Sequence, residues 1–256
     1  MTRSTGMMIA VLLLACGCLA RYGAEKKFDL YVTTGYGFGM GGRYVGMSET
    51  TVGGLPTKQE DHYQNFGWGI KIEGGADYLL MDNLYAQGGL CYSIGVPWID
   101  NVTDDGTTKT TVGLRWSTFG IKALLKPTFK LLDLFDVYTG FGLGLYFAFS
   151  SADITQTTPT TTYSAKAIDG NNPSLAFIGS LGVEYPLNEF CIMYGELYCE
   201  QMSFTTTQTA YSNASPGGPY INHIDYYQED VTDRNPPPKT PGTNVAIRVG
   251  VRFPIF

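Results

Sequence analysis

Histidine, ionic side chains and long apolar runs are all scarce in this sequence, and each shortage removes a class of function. Only two histidines occur, His62 in "EDHYQ" and His223 in "NHIDYY", so little acid–base chemistry is available near neutral pH. Charged residues make up 16 % of the 256 positions, against roughly 25 % in an ordinary soluble protein. The net charge is −6 with no basic cluster, which argues against nucleic acid as a partner. No apolar run reaches the roughly 18 residues of a transmembrane helix. Of five cysteines, Cys16 and Cys18 lie near the N-terminus, leaving Cys91, Cys191 and Cys199. An odd number without ligand spacing fits neither a disulfide scaffold nor a zinc centre, and no cofactor is expected. On one strand, Cys191 and Cys199 would stand about 26 Å apart and could not bridge.

What is abundant is glycine and aromatic residues, 32 glycines and 18 tyrosines among them. Gly37, Gly39 and Gly42 have the spacing G-x-G-x-x-G of a dinucleotide-binding turn, but the residues after them show no helical apolar periodicity, and that turn requires a helix. Alternation explains these glycines better. Phe28, Leu30, Val32, Thr34, Tyr36 and Phe38 share one parity, while Asp29, Tyr31, Thr33, Gly35 and Gly37 share the other, the signature of a β-strand.

Seven further segments repeat this pattern. The second sets Phe66, Trp68, Ile70, Ile72, Ala76 and Tyr78 against Lys71, Glu73 and Asp77. The third, fifth, sixth, seventh and eighth place apolar faces over residues 84–96, 137–149, 175–185, 191–199 and 245–253. In the fourth, Val112, Leu114 and Trp116 have one parity and Phe119, Ile121, Ala123 and Leu125 the other, which predicts a bulge near Ser117. The links alternate, short at "LLMDN", "TFKLLDLFD" and "PLNE" and long at roughly 39–64, 97–110, 150–173 and 203–243. All short turns therefore gather at one end and all long loops at the other.

Alternation fits a soluble cup with an apolar inside as well as a membrane barrel with an apolar outside. The non-apolar faces decide for the membrane. They carry Asp29, Lys71, Glu73, Asp77, Lys122, Lys126, Glu184, Glu196, Glu200, Arg248 and Arg252, interleaved with glycine and tyrosine, a composition that suits a tight eight-stranded lumen. A tilted ten-residue strand covers the roughly 25 Å apolar band of an outer-membrane barrel. Trp68, Trp116, Tyr78, Tyr92, Tyr185 and Phe253 then fall near strand ends, where aromatic girdles sit. The expected fold is all-β, an eight-stranded antiparallel up-and-down transmembrane barrel.

The N-terminus reads as an export signal, with Arg3 followed by the apolar run Met7 to Ala15. Cleavage after Ala20 makes residues 1–20 a signal peptide and residues 26–256 the barrel. The alternative is a lipoprotein box, Leu13-Leu14-Ala15-Cys16, although a barrel anchored all round gains little from a lipid. Export signal, alternating strands, asymmetric loops and the ending "NVAIRVGVRFPIF" together resemble the small bacterial outer-membrane barrels of the OmpA-barrel, OmpX and OmpW group. The resemblance implies a bacterial outer-membrane location, contact with its lipids, and a terminal aromatic read by the barrel-assembly machinery. Phe256 would be that residue, but Pro254 intervenes and Phe256 is out of phase with Phe253, leaving either phenylalanine open for the role.

Six acidic and five basic residues in the expected lumen are nearly balanced, which favours a salt-bridged plug over a polar conduit. The long fourth loop sets Tyr220, Tyr226 and Tyr227 beside Asp225, Glu229 and Asp230; this is a contact surface for a host or matrix ligand or else a mobile tip. Outer-membrane enzymes of this architecture use a histidine with serine or aspartate; neither His62 nor His223 has a His-x-Ser pair, and Asp225 two residues after His223 is a weak match, so both read as solvated loop residues and the protein as non-enzymatic. "DNVTDDGTT" lacks the ligand spacing of a calcium loop and reads as a turn on Asp105-Gly106. Two roles remain: a structural or adhesive surface protein with a closed lumen, or an OmpW-like narrow channel for small, mainly hydrophobic solutes.

Overall fold

The computed structural model describes residues 28–52, 55–96, 99–131, 135–212, 214–218, 223–226 and 238–255. The expected signal peptide, with Cys16, lies outside these residues, as do Tyr220, Tyr227 and Phe256, and the side chains of His223 and Tyr226. Among the described residues the regular structure is entirely β: β1 (Phe28–Gly39), β2 (Arg43–Val52), β3 (Leu55–Gln64), β4 (Gly69–Met81), β5 (Leu84–Ile94), β6 (Ile99–Asp104), β7 (Lys109–Leu131), β8 (Phe135–Thr157), β9 (Thr162–Asn171), β10 (Ser174–Asn188), β11 (Cys191–Gln201), β12 (Ser203–Ser212), β13 (His223–Tyr226), β14 (Lys239–Pro241) and β15 (Asn244–Ile255).

Eight of these strands, β1, β4, β5, β7, β8, β10, β11 and β15, pair antiparallel with their successors in that order. The ring closes where β15 pairs with β1, in unbroken register from Phe28 opposite Ile255 to Gly39 opposite Asn244. The result is an eight-stranded antiparallel up-and-down barrel, as the alternation predicts. Its outer wall is apolar: Leu30, Val32, Ile70, Ile72, Leu90, Phe141, Leu143, Phe177, Leu181, Leu197, Ile247 and Val249 are all exposed. A closed ring leaves no backbone group unpaired toward lipid, the condition for crossing a bilayer with strands. At the short-turn end, β4 and β5 are joined through Asp82-Asn83, where Asn83 adopts φ 65°, a conformation asparagine tolerates better than most residues.

At the other end, the expectation of long irregular loops is corrected. The long links are themselves strands: β2, β3, β6, β9, β12, β13 and β14 all fall within them. β7 and β8 run on for 23 residues each, roughly 75 Å at about 3.3 Å per residue, far more than the roughly ten residues a bilayer needs. The sheet grows sideways from this hairpin, through β9, β12 and β13 on one flank and β6, β2 and β3 on the other. Thr103, Thr110, Thr111, Thr155, Thr157 and Thr162 lie on these strands, and β-branched threonine belongs on strands as readily as in loops. The Asp105-Gly106 turn does form: Asp105 Oδ1 accepts the amides of Thr107 at 2.8 Å and Thr108 at 2.6 Å, and Gly106 sits at φ 82°. Those bonds, Thr108 first, hold the exposed Asp105 carboxyl below its ordinary value.

The predicted bulge near Ser117 is absent, for β7 keeps register with β8 from Lys109 to Leu125 and with β5 from Ser117 to Pro127. The strand does not change phase; its surroundings change. Trp116 has the same inward parity as Lys122 and is 5 % exposed, so it is not part of an outward aromatic girdle. Phe66 likewise points inward, 1 % exposed, from the turn that precedes β4, while Trp68 faces out. Beyond the hydrocarbon layer no lipid rewards an outward apolar side chain, and burial inside the wall does.

Candidate functional site in the barrel lumen

The inward faces of six ring strands, β1, β4, β7, β10, β11 and β15, bring all eleven sequence-predicted ionic residues into the lumen, each at 8 % exposure or less. Their contacts divide them into two sets. In the first, Glu73 pairs with Lys122 at 2.7 Å and Arg248 at 2.6 Å, Arg248 also pairs with Glu196, and Lys71 meets Glu200 at 2.6 Å. Tyrosine hydroxyls complete the carboxylates: Tyr31 donates to Glu73 at 2.6 Å, Tyr138 to Glu196 at 3.1 Å, and Tyr198 to Glu200 at 2.9 Å, with Tyr146 also donating to Glu200. The Arg248 guanidinium lies 3.4 Å from the centre of the Tyr198 ring, a stacked cation–π contact.

The second set lies nearer the short-turn end. Glu184 pairs with Lys126 and Arg252 at 2.5 Å each, and Asp77 reaches the same two cations at 3.4 Å each. Asp29 meets Arg252 Nε at 3.5 Å. Lys126 stands 4.0 Å from the centre of the Tyr138 ring, and Gln87 donates to Asp77 at 2.9 Å. Glycines opposite these side chains make room for them: a Cβ at Gly89 would strike the Tyr31 hydroxyl, and one at Gly182 the Tyr138 ring.

Toward the long-loop end the lining turns apolar. Phe66, Trp116, Ala148, Met202 and Phe204 are buried in one cluster with Tyr146, Tyr198 and Ala246. The Phe66 and Phe204 rings meet edge to face at 5.1 Å. The chain holds this cap by its backbone: Phe66 donates to the Pro241 carbonyl at 2.9 Å, Gly242 to Met202 at 3.0 Å, and Met40 to Thr243 at 2.8 Å. Asn65 donates to the carbonyls of Met40 at 2.9 Å and Gly41 at 2.8 Å. Below the cap an interior hollow of about 10 Å³, bordered by Thr33, Ser93, Thr118, Glu73, Glu200 and Arg248, has room for about one water.

Two features escaped sequence reasoning. His62 is not a solvated loop residue; it lies half-buried on β3 and bonds Ser48 at 2.8 Å, whose hydroxyl accepts the Val102 amide at 2.9 Å. The contact pins the β2–β3 hairpin to β6 and needs a pairing that no spacing reveals. Tyr44 and Tyr63 form an exposed ring pair on the same hairpin, centroids 5.8 Å apart; only the β2–β3 register brings them side by side. Of the three loop tyrosines singled out, only Tyr226 has a described backbone, at the end of β13.

No family model and no curated protein matches the chain in sequence. Solved structures resemble it in fold. Among them are the outer membrane protein OprG from Pseudomonas aeruginosa, at 10 % identity over 90 % of this chain and 95 % of that one with a TM-score of 0.44, and a major outer membrane protein from Thermus thermophilus, at 14 % identity over 90 % and 100 % with a TM-score of 0.44. The attachment invasion locus protein Ail of Yersinia pestis is similar at 4 % identity over 90 % and 97 %, with a TM-score of 0.34. What defines the class of this chain is its own geometry: a closed ring of strands, apolar outside and ionic inside, is a transmembrane β-barrel.

Proposed function

We propose that this protein is an integral, non-enzymatic barrel of a bacterial outer membrane, with a lumen closed to solutes and a role carried by the strands that project beyond the bilayer. The supporting observation is the filling of the lumen, an apolar cap over an ion-paired interior whose hollow measures about 10 Å³. Eight strands leave an interior that side chains just fill, and here tyrosine and arginine fill it. The projecting β2–β3 hairpin offers Tyr44 and Tyr63, each more than half exposed, and exposed tyrosine pairs are efficient contact residues. Tyr220, Tyr226 and Tyr227 are the second candidate contact patch, for a host or matrix ligand. Phe253, exposed on β15, or Phe256 is the signal for the barrel-assembly machinery.

Planar-bilayer recording on refolded protein tests the reading. A closed lumen gives no stable unit conductance, while binding to host or matrix proteins depends on the projecting hairpins. Unit conductance that is lost when Glu73 or Arg248 is replaced by a large neutral residue would overturn it in favour of a narrow channel for small solutes.

A further inference from the structure

The two ionic sets differ in charge count, and the difference falls on one residue. Glu73, Glu196 and Glu200 face Lys71, Lys122 and Arg248, three against three. Among the described residues Asp29, Asp77 and Glu184 face only Lys126 and Arg252, three against two. Within that second set Glu184 takes the two short contacts, and Asp77 shares the same cations and accepts from Gln87. Asp29 keeps a single contact at 3.5 Å through Oδ2, and its Oδ1 has no hydrogen-bond partner although the residue is only 3 % exposed. Asp29 also stands directly opposite Asp77 in the β1–β4 register, where like charges repel. Two residues beyond Lys126 on β7, the buried Thr128 hydroxyl lacks a partner as well.

An uncompensated carboxylate in a buried site costs several kcal/mol unless a counter-charge reaches it. We infer that the short-turn end of the lumen is a binding site for one monovalent cation, held by the free oxygen of Asp29 with the Asp77 carboxylate opposite. The surplus is one charge, three carboxylates against two cations, so the counter-ion that matches it is singly charged. The hard carboxylate oxygens suit potassium or sodium. The site rests on the charge count and the unpartnered Asp29 oxygen, and holds whether or not the lumen conducts.

The test is thermal unfolding of the refolded full chain in detergent near neutral pH, with potassium exchanged for N-methyl-D-glucamine at constant ionic strength. Wild type gains a saturable few °C from potassium. Asp29→Asn, which removes the surplus charge, melts higher than wild type in N-methyl-D-glucamine and loses the potassium response, whereas Asp153→Asn, outside the bilayer on β8, retains it. The site is disproved if wild type melts alike in both salts, or if Asp29→Asn still responds to potassium. It is equally disproved if acidification from about pH 8 to about pH 6 in N-methyl-D-glucamine gives the whole gain and potassium adds nothing, since a proton is then the counter-charge. A potassium response that appears only after Lys26→Gln with Lys27→Gln also overturns it, because the chain's own lysines then supply the charge.

Discussion

The two levels of the barrel interior are filled by opposite chemistry on the same strands. Below, the inward positions of β7 carry Lys122 and Lys126; above, the same parity carries Trp116. The ionic level exists because the outer wall there faces lipid, so polar residues have only the inside. The cap exists because the wall above faces water, so apolar residues have only the inside. One rule, burial of whatever the outside rejects, gives inverted interiors at two heights, and the two respond differently to mutation. In the ionic level energy is held in shared partners, and in the cap it is held in volume.

Removing one shared partner should have the largest effect. Arg248→Met leaves Glu196 without a cation and Glu73 with Lys122 alone, and should cost about 3–5 kcal/mol, read as a lower urea midpoint for the barrel refolded in lipid vesicles. Lys71→Met alone strands Glu200, but Lys71→Met with Glu200→Gln should cost less than Lys71→Met alone, the non-additivity of a shared network. Phe204→Ala in the cap should cost about 3 kcal/mol by cavity formation, and a Phe66–Phe204 double-mutant cycle should return a coupling of only about 1 kcal/mol. Equal additivity at both levels would erase the contrast.

A smaller effect tests which way each wall faces. Among variants retaining one tryptophan, Trp68 fluorescence should be quenched by brominated lipid chains and Trp116 fluorescence should not. The smallest is local to the β6–β7 turn. The Asp105 carboxyl is held below its ordinary value in the folded state, so its bonds contribute fully above the usual carboxylate range and are lost as pH falls through the depressed value. Amide exchange at Thr107 and Thr108, corrected for intrinsic pH dependence, should therefore become less protected only at strongly acidic pH.

The eight ring strands were legible because lipid on one face and a packed lumen on the other force a strict two-residue period. Asp29, Lys71 and Arg248 could be assigned inward from parity alone. That logic misread Trp116 and Phe66, because parity says which residues share a face and not what that face meets at a given height. It also took residues 150–173 for a loop, since their apolar members, such as Ile154, Ala165 and Ala167, are too few and too widely spaced among threonine and serine to mark the period. His62 and Ser48 were beyond reach for another reason. Their contact depends on how β2 is laid against β3 and β6, a register set by bulges between Tyr44 and Gly46 and between Thr50 and Thr51.

The pairing of β1 with β15 joins positions more than 200 residues apart in the chain, such as Thr33 and Gly250. Every other neighbouring pair in the ring is a hairpin or a crossing between sequential strands and can zip locally. This seam alone must wait until the whole circumference has been laid down. A chain that lost β15 would present β1 and β11 as naked strand edges to hydrocarbon, where no water can satisfy them. Insertion of this wall is therefore a single commitment: a seven-strand intermediate has no resting place in the bilayer, and whatever catalyses insertion must shelter both rims until they meet.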